Sequence, residues 1–121
     1  MTGIVFDLED RLIDFSSRIV DVVESLPNSR AANYLAGQLI RCGLAPPLLY
    51  GEAQSAESRD DFIHKLRIAV KELKETRVCI KLIRKRSMIN PISRMGNIAL
   101  ENEALIAIIS KSIETAKRNK S

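Results

Sequence analysis

The densest chemistry-bearing pattern in this sequence is a row of cations. Arg67, Lys71, Lys74, Lys81 and Lys85 recur at spacings of four, three, seven and four, which sets all five on one stripe of an α-helix. Arg77, Arg84 and Arg86 flank that stripe. Positive charge repeated along a helix suits a phosphate backbone, and an oligomer would repeat the stripe once per subunit, multiplying a modest affinity. Glu72 and Glu75 interrupt the row at spacings that can pair them with its lysines, so a solvated charged face without a ligand is the competing reading. No aromatic residue interleaves with the cations, which argues against base stacking along the row.

The parts of a catalytic site are missing. The single histidine, His64, follows Asp61 at a spacing that puts both on one helix face. A carboxylate-bridged di-iron bundle needs two Glu-x-x-His pairs and two further inward carboxylates, so no metal or cofactor is expected, and His64 falls on the outer face. No serine or cysteine stands in a nucleophile signature, and the five glycines are too scattered for a phosphate loop. The chain is therefore expected not to be an enzyme. Glu52 lies close to Pro46 and Pro47, where backbone hydrogen bonding is disrupted; its expected role is structural, as an acceptor for donors left open there.

These residues need elements to position them, and composition points to helices. Of the 121 residues 45% are apolar and 28% charged, which is a folded composition, and the length suits one domain spanning 1–121. Aromatics make up 4% and tryptophan is absent, so the core rests on Leu, Ile, Val and Ala, as in interdigitating helices. Cys42 and Cys79 have neither CxxC spacing nor a disulfide pattern and are read as small buried hydrophobes. The acidic N-terminus does not resemble a secretory signal, and no apolar run is long enough to span a membrane, so a cytoplasmic protein is expected. Charge is polarised: residues 1–56 hold 4 basic and 7 acidic side chains, residues 57–121 hold 15 and 8. The second half can attract polyanions.

Four amphipathic segments emerge. Val5, Leu8, Leu12, Phe15, Ile19, Val22 and Leu26 alternate at three and four residues, predicting a first helix that stops at Pro27. Ala32, Leu35, Leu39 and Cys42 predict a second, which is expected to break near Pro46 and Pro47 because adjacent prolines remove two donors and crowd the preceding turn. Its second piece would run roughly from Pro46 to Ala53, with a proline in its first turn. Ser58 with Asp61 caps a third helix, whose positions Phe62, Leu66, Ala69, Leu73, Thr76, Ile80 and Ile83 predict about 29 residues, or roughly 43 Å at the helical rise. Asn90-Pro91 opens a fourth, carried by Ile98, Leu105, Ile109 and Ile113. Short loops between such helices predict an all-α, up-down-up-down antiparallel four-helix bundle. Apolar residues beyond the core stripes, namely Ile13, Val20, Ile68, Val78, Leu82, Ile106, Ile108 and Ile113, predict a subunit interface and hence a homo-oligomer.

One stretch carries a resemblance. Arg41-Cys42-Gly43, then Tyr50-Gly51-Glu52-Ala53-Gln54-Ser55, then Asp61-Phe62-Ile63 and the run Lys71-Glu72-Leu73-Lys74-Glu75-Thr76 resemble the four-helix-bundle family named for open reading frames in 23S ribosomal RNA intervening sequences. The likeness spans nearly the whole chain in helix length and order. It implies an up-down bundle assembled as a ring-like homopentamer, with no known enzymatic activity. It also implies kinship to a basic pentameric accessory protein of diversity-generating retroelements that binds nucleic acid and partners a reverse transcriptase. Ala45-Pro46-Pro47-Leu48-Leu49 departs from the small residues and Asn common in the family at this point, and Cys79 replaces a common aromatic. The polar network of the break is accordingly expected to be absent or rebuilt around Glu52. The functional expectation is a homo-oligomeric, pentameric interaction protein binding nucleic acid or a nucleic-acid enzyme through Arg67, Lys71, Lys74, Arg77, Lys81, Arg84 and Lys85. The alternative is a structural scaffold or protein-protein adaptor that binds no nucleic acid.

Overall fold

The computed structural model of the chain describes residues 7–90 and 95–119. These form α1 (Leu8–Glu24), α2 (Arg30–Gln54), α3 (Arg59–Lys85) and α4 (Met95–Arg118). Each helix packs on the next in sequence, and α1 returns to α4, closing an antiparallel four-helix bundle. The first three starts are capped by side chains, as short polar residues before an apolar stripe dictate. Asp7 accepts from Asp10 N, Ser29 from Ala32 N and Ser58 from Asp61 N. Val5 and the start expected at Asn90-Pro91 involve residues 1–6 and 91–94, outside the described residues.

The stripes predicted from spacing are the core. Leu12, Phe15 and Ile19 of α1, Leu39 of α2, Leu66 and Leu73 of α3, and Leu105 and Ile109 of α4 are all fully buried. Ile106, expected at a surface, is buried, because α4 turns a wide face to the bundle; Ile113, which spacing set both on the α4 stripe and beyond it, is buried too, and Ile68 and Ile108 are half-buried. Ile13, Val20, Val78 and Leu82 are exposed as expected, and so are Tyr34, Ile40, Leu48 and Leu100. An ion pair and a hydrogen bond fasten the outside: Arg11 of α1 forks onto Glu101 of α4 at 2.6 and 2.9 Å, and Arg59 at the start of α3 donates to the Asn119 carbonyl after α4.

The expected break in helix 2 does not occur. α2 runs without interruption through Pro46 and Pro47. A proline's fixed φ is helical, so what it forfeits is one N–H and room beside the carbonyl four residues earlier. For Pro47 that carbonyl belongs to Gly43, and Ser16 Oγ of α1 donates to it at 2.7 Å, replacing the lost donor. Gly43 itself permits the approach, since a Cβ there would lie 2.7 Å from Ile19 Cγ2. With Cys42, Pro46 and Ala53 continuing the buried stripe from Leu39, burial along the whole of α2 outweighs its poor local propensity.

α3 ends on a feature that the sequence does not announce. Ser87 adopts φ 50°, Ser87 N donates to Arg84 O and Met88 N donates to Ile83 O at 3.0 Å, which is a Schellman closure built on a non-glycine residue. It fixes the point at which the cation row stops.

Candidate functional site

The basic row lies along the outside of α3. Arg67, Lys71, Lys74, Lys81, Arg84 and Lys85 are exposed, with the partly exposed apolar residues Val78 and Leu82 set among them. Arg77 is placed differently: it is half-buried, its Nε and Nη2 donating to Glu103 of α4 at 2.7 and 2.8 Å. That bond holds the Glu103 carboxyl below its ordinary range, with the charge of Lys81 adding to it, and raises Arg77. Six of the seven candidate cations thus face solvent and the seventh is committed to α4.

The carboxylates that interrupt the row are turned elsewhere. Arg41 of α2 reaches Glu75 at 2.6 Å and Glu72 at 3.4 Å, so both acids are engaged across the α2–α3 seam. Sequence spacing suggested pairing with lysines on the same helix. The geometry favours Arg41, whose planar fork spans two acceptors one turn apart. The consequence for electrostatics is direct: the two acids that would dilute the lysine row share one cation from α2.

Glu52 does not serve the role expected of it. Its Oε1 pairs with Lys65 Nζ at 2.8 Å, and Lys65 is raised by that hydrogen bond first. The physical reason is one of sign. Prolines orphan carbonyl acceptors, and a carboxylate cannot donate to them; the hydroxyl of Ser16 can. His64 is exposed, and among the described residues no three His, Cys, Asp or Glu side chains gather in a metal-holding group. Among the described residues no helix is long and apolar enough to cross a membrane.

Cys42 and Cys79 are free thiols buried at the α2–α3 seam. The Thr76 hydroxyl donates to the Glu72 carbonyl at 2.9 Å and lies 3.2 Å from Cys42 Sγ. Hydrogen bonding from Cys79 draws the Cys42 thiol down to about 7, while the same contact and burial push Cys79 up.

Beside the cation row, a groove of about 600 Å³ opens between α3 and α4. Arg77, Lys81 and Arg84 belong both to the row and to the groove. Asn102, at its base, escaped sequence inspection, although the signal was there: it stands four residues after Ile98 and three before Leu105, a polar residue on the apolar stripe of α4. A second, apolar groove on the other side of the bundle is lined by Ile13, Leu44, Pro47 and Leu48 of α1 and α2.

The molecule is thus an antiparallel helical bundle that presents cations along its third helix. The family of 23S rRNA-intervening sequence proteins matches residues 7–111, and this chain belongs to it. A solved structure from Bacteroides thetaiotaomicron, described as a protein with unknown function from the S23 ribosomal protein family, is similar with a TM-score of 0.81. The two chains are 28% identical, and the match covers 88% of this one and 98% of that one. No curated protein sequence matches the chain.

Proposed function

We propose that this chain is a non-enzymatic, homo-oligomeric interaction protein of the cytoplasm that binds the phosphate backbone of nucleic acid along α3. The observation that carries this reading is the exposed row of Arg67, Lys71, Lys74, Lys81, Arg84 and Lys85, whose intervening acids Glu72 and Glu75 are both engaged by Arg41 across the seam, which offsets one of their two charges. Phosphate contacts made by solvent-facing cations release counterions, so affinity should fall steeply with salt. The apolar groove of Ile13, Leu44, Pro47 and Leu48 supports self-association, because Val20 and Ile40 extend the same helix stripes towards the α1–α2 loop. The family resemblance supports five copies, which would repeat the row five times.

The test is binding of RNA and DNA across a salt series for the wild type and for Lys74→Glu/Lys81→Glu. Both positions are exposed, so the fold should persist by circular dichroism. The expected result is a salt slope shallower by about 2 and a loss of affinity across all sequences. Unchanged affinity and slope in the variant would overturn the reading. The exposed apolar groove favours the second reading, a scaffold or adaptor whose charges only keep it dispersed. It predicts an oligomer with no salt-sensitive affinity for any polyanion.

A further inference from the structure

We infer that the groove between α3 and α4 holds one unpaired nucleotide, its base amino group hydrogen-bonded to Asn102 and its phosphate on Lys81 and Arg84. The inference rests on the nucleic-acid reading above and assigns it a second, base-facing site. The groove's volume of about 600 Å³ lies in the range of small-ligand sites.

Asn102 supplies the first observation. It is 1% exposed, its Nδ2 donates to the Leu73 carbonyl at 3.0 Å, and its Oδ1 is buried with no donor among the described residues. Only the nitrogen can bond a carbonyl, so the oxygen is the atom left open. Buried acceptors without donors are uncommon and costly, and a ligand that brings an N–H to this one recovers the loss. The long side chains of Arg77 and Glu103 line the groove with Asn102 and must swing aside to admit it. A phosphate offers Arg77 a replacement partner as they do.

The walls supply the second observation. Ile80, Ala99 and Leu100 form an apolar slot, and Leu100 is 71% exposed at the surface. Lys81 and Arg84 stand on the same groove and make no ion pair among the described residues, while Lys81 is felt by Glu103 only through its charge. A donor, an apolar body and an anion are therefore all called for in one place. A nucleobase with an exocyclic amino group, joined through its sugar to a phosphate, meets all three, and its faces can bury against aliphatic side chains without aromatic partners. In a duplex the base is stacked and paired and its faces cannot enter the groove, so the nucleotide must be unpaired.

The test uses the full-length protein, a single-stranded oligonucleotide, its duplex, and two free probes. The probes are adenosine 5′-monophosphate and the purine riboside 5′-monophosphate that lacks the amino group. Gly96→Leu fills the groove, since a Cβ at Gly96 meets nothing within 4 Å and the fold should tolerate it. We expect the single strand to bind at least tenfold more tightly than the duplex, Gly96→Leu to erase that preference while leaving duplex affinity unchanged, and the probe lacking the amino group to bind at least tenfold more weakly. Equal single-strand and duplex affinity, both salt-sensitive and both untouched by Gly96→Leu, would overturn the groove assignment and leave the α3 row standing. Binding of the free mononucleotide, blocked by Gly96→Leu, with no binding of either polymer would uphold the groove as a mononucleotide site and overturn the backbone reading. No binding of any probe would overturn both.

Discussion

Ser16 Oγ donates to the Gly43 carbonyl at 2.7 Å, and that carbonyl is the one that Pro47 leaves without its helical partner. A hydroxyl on one helix thus repairs a defect in the next. Ser16→Ala should cost about 1–3 kcal/mol, the penalty for a buried acceptor left open. Pro47→Ala restores the N–H, so the same Ser16→Ala change in that background should cost much less. Thermal unfolding of the four proteins in a double-mutant cycle measures the coupling. Additive losses would mean that the bond does not compensate for Pro47.

The same seam makes Gly43 a packing residue rather than a hinge. Gly43→Ala would place its Cβ 2.7 Å from the buried Ile19 Cγ2. Overpacking of this kind should destabilise by about 1–3 kcal/mol, lowering the urea midpoint with m unchanged.

Glu101 gives stability a dependence on acid. Its carboxyl is held below the ordinary value of 4.5 by the forked hydrogen bond from Arg11. A depressed folded-state pKa contributes stability that is complete above the unfolded value and lost as pH falls through the folded one. Glu101→Gln should therefore cost about 1 kcal/mol at pH 7, with the difference from wild type closing below the carboxylate range. Urea melts at a series of pH values from neutral to acid check the convergence.

At the end of α3, Ser87 sits at φ 50° without the freedom of glycine. Ser87→Gly should stabilise by about 1 kcal/mol, because the left-handed conformation carries a Cβ penalty that glycine lacks. A higher thermal midpoint is the expected readout.

Leu48, 69% exposed beside Ile13 and Pro47, tests self-association. Leu48→Glu should lower the mass seen by light scattering towards 13.5 kDa while leaving helicity intact. An unchanged mass would place the interface elsewhere.

Most of the bundle was legible because helical periodicity depends on neighbours three and four residues apart. The buried stripe from Leu8 to Val22 and that from Leu66 to Ile83 appear in the core where spacing put them. The Ser58 cap and the exposure of Lys71, Lys74 and Lys81 were equally local. The fate of Pro46 and Pro47 was not, because the group that compensates Pro47 lies on α1. Nor was the partner of Glu52, which faces Lys65 across a seam. Asn102 showed as a polar residue on an apolar stripe, but nothing local says that one of its amide atoms reaches Leu73 and the other finds no donor among the described residues.

By itself, then, the sequence determined four helices, the stripe that each buries and the row of cations along the third, since all of these follow from side-chain type and a 3.6-residue period. Only the tertiary structure decided that α2 runs unbroken, that Arg41 draws Glu72 and Glu75 away from that row, that Arg77 is spent on Glu103, and that a groove opens beside Asn102. The physical reason is that a proline's lost donor, a carboxylate's choice of cation and the gap between two helices depend on groups from different helices. Those groups meet only when the bundle closes.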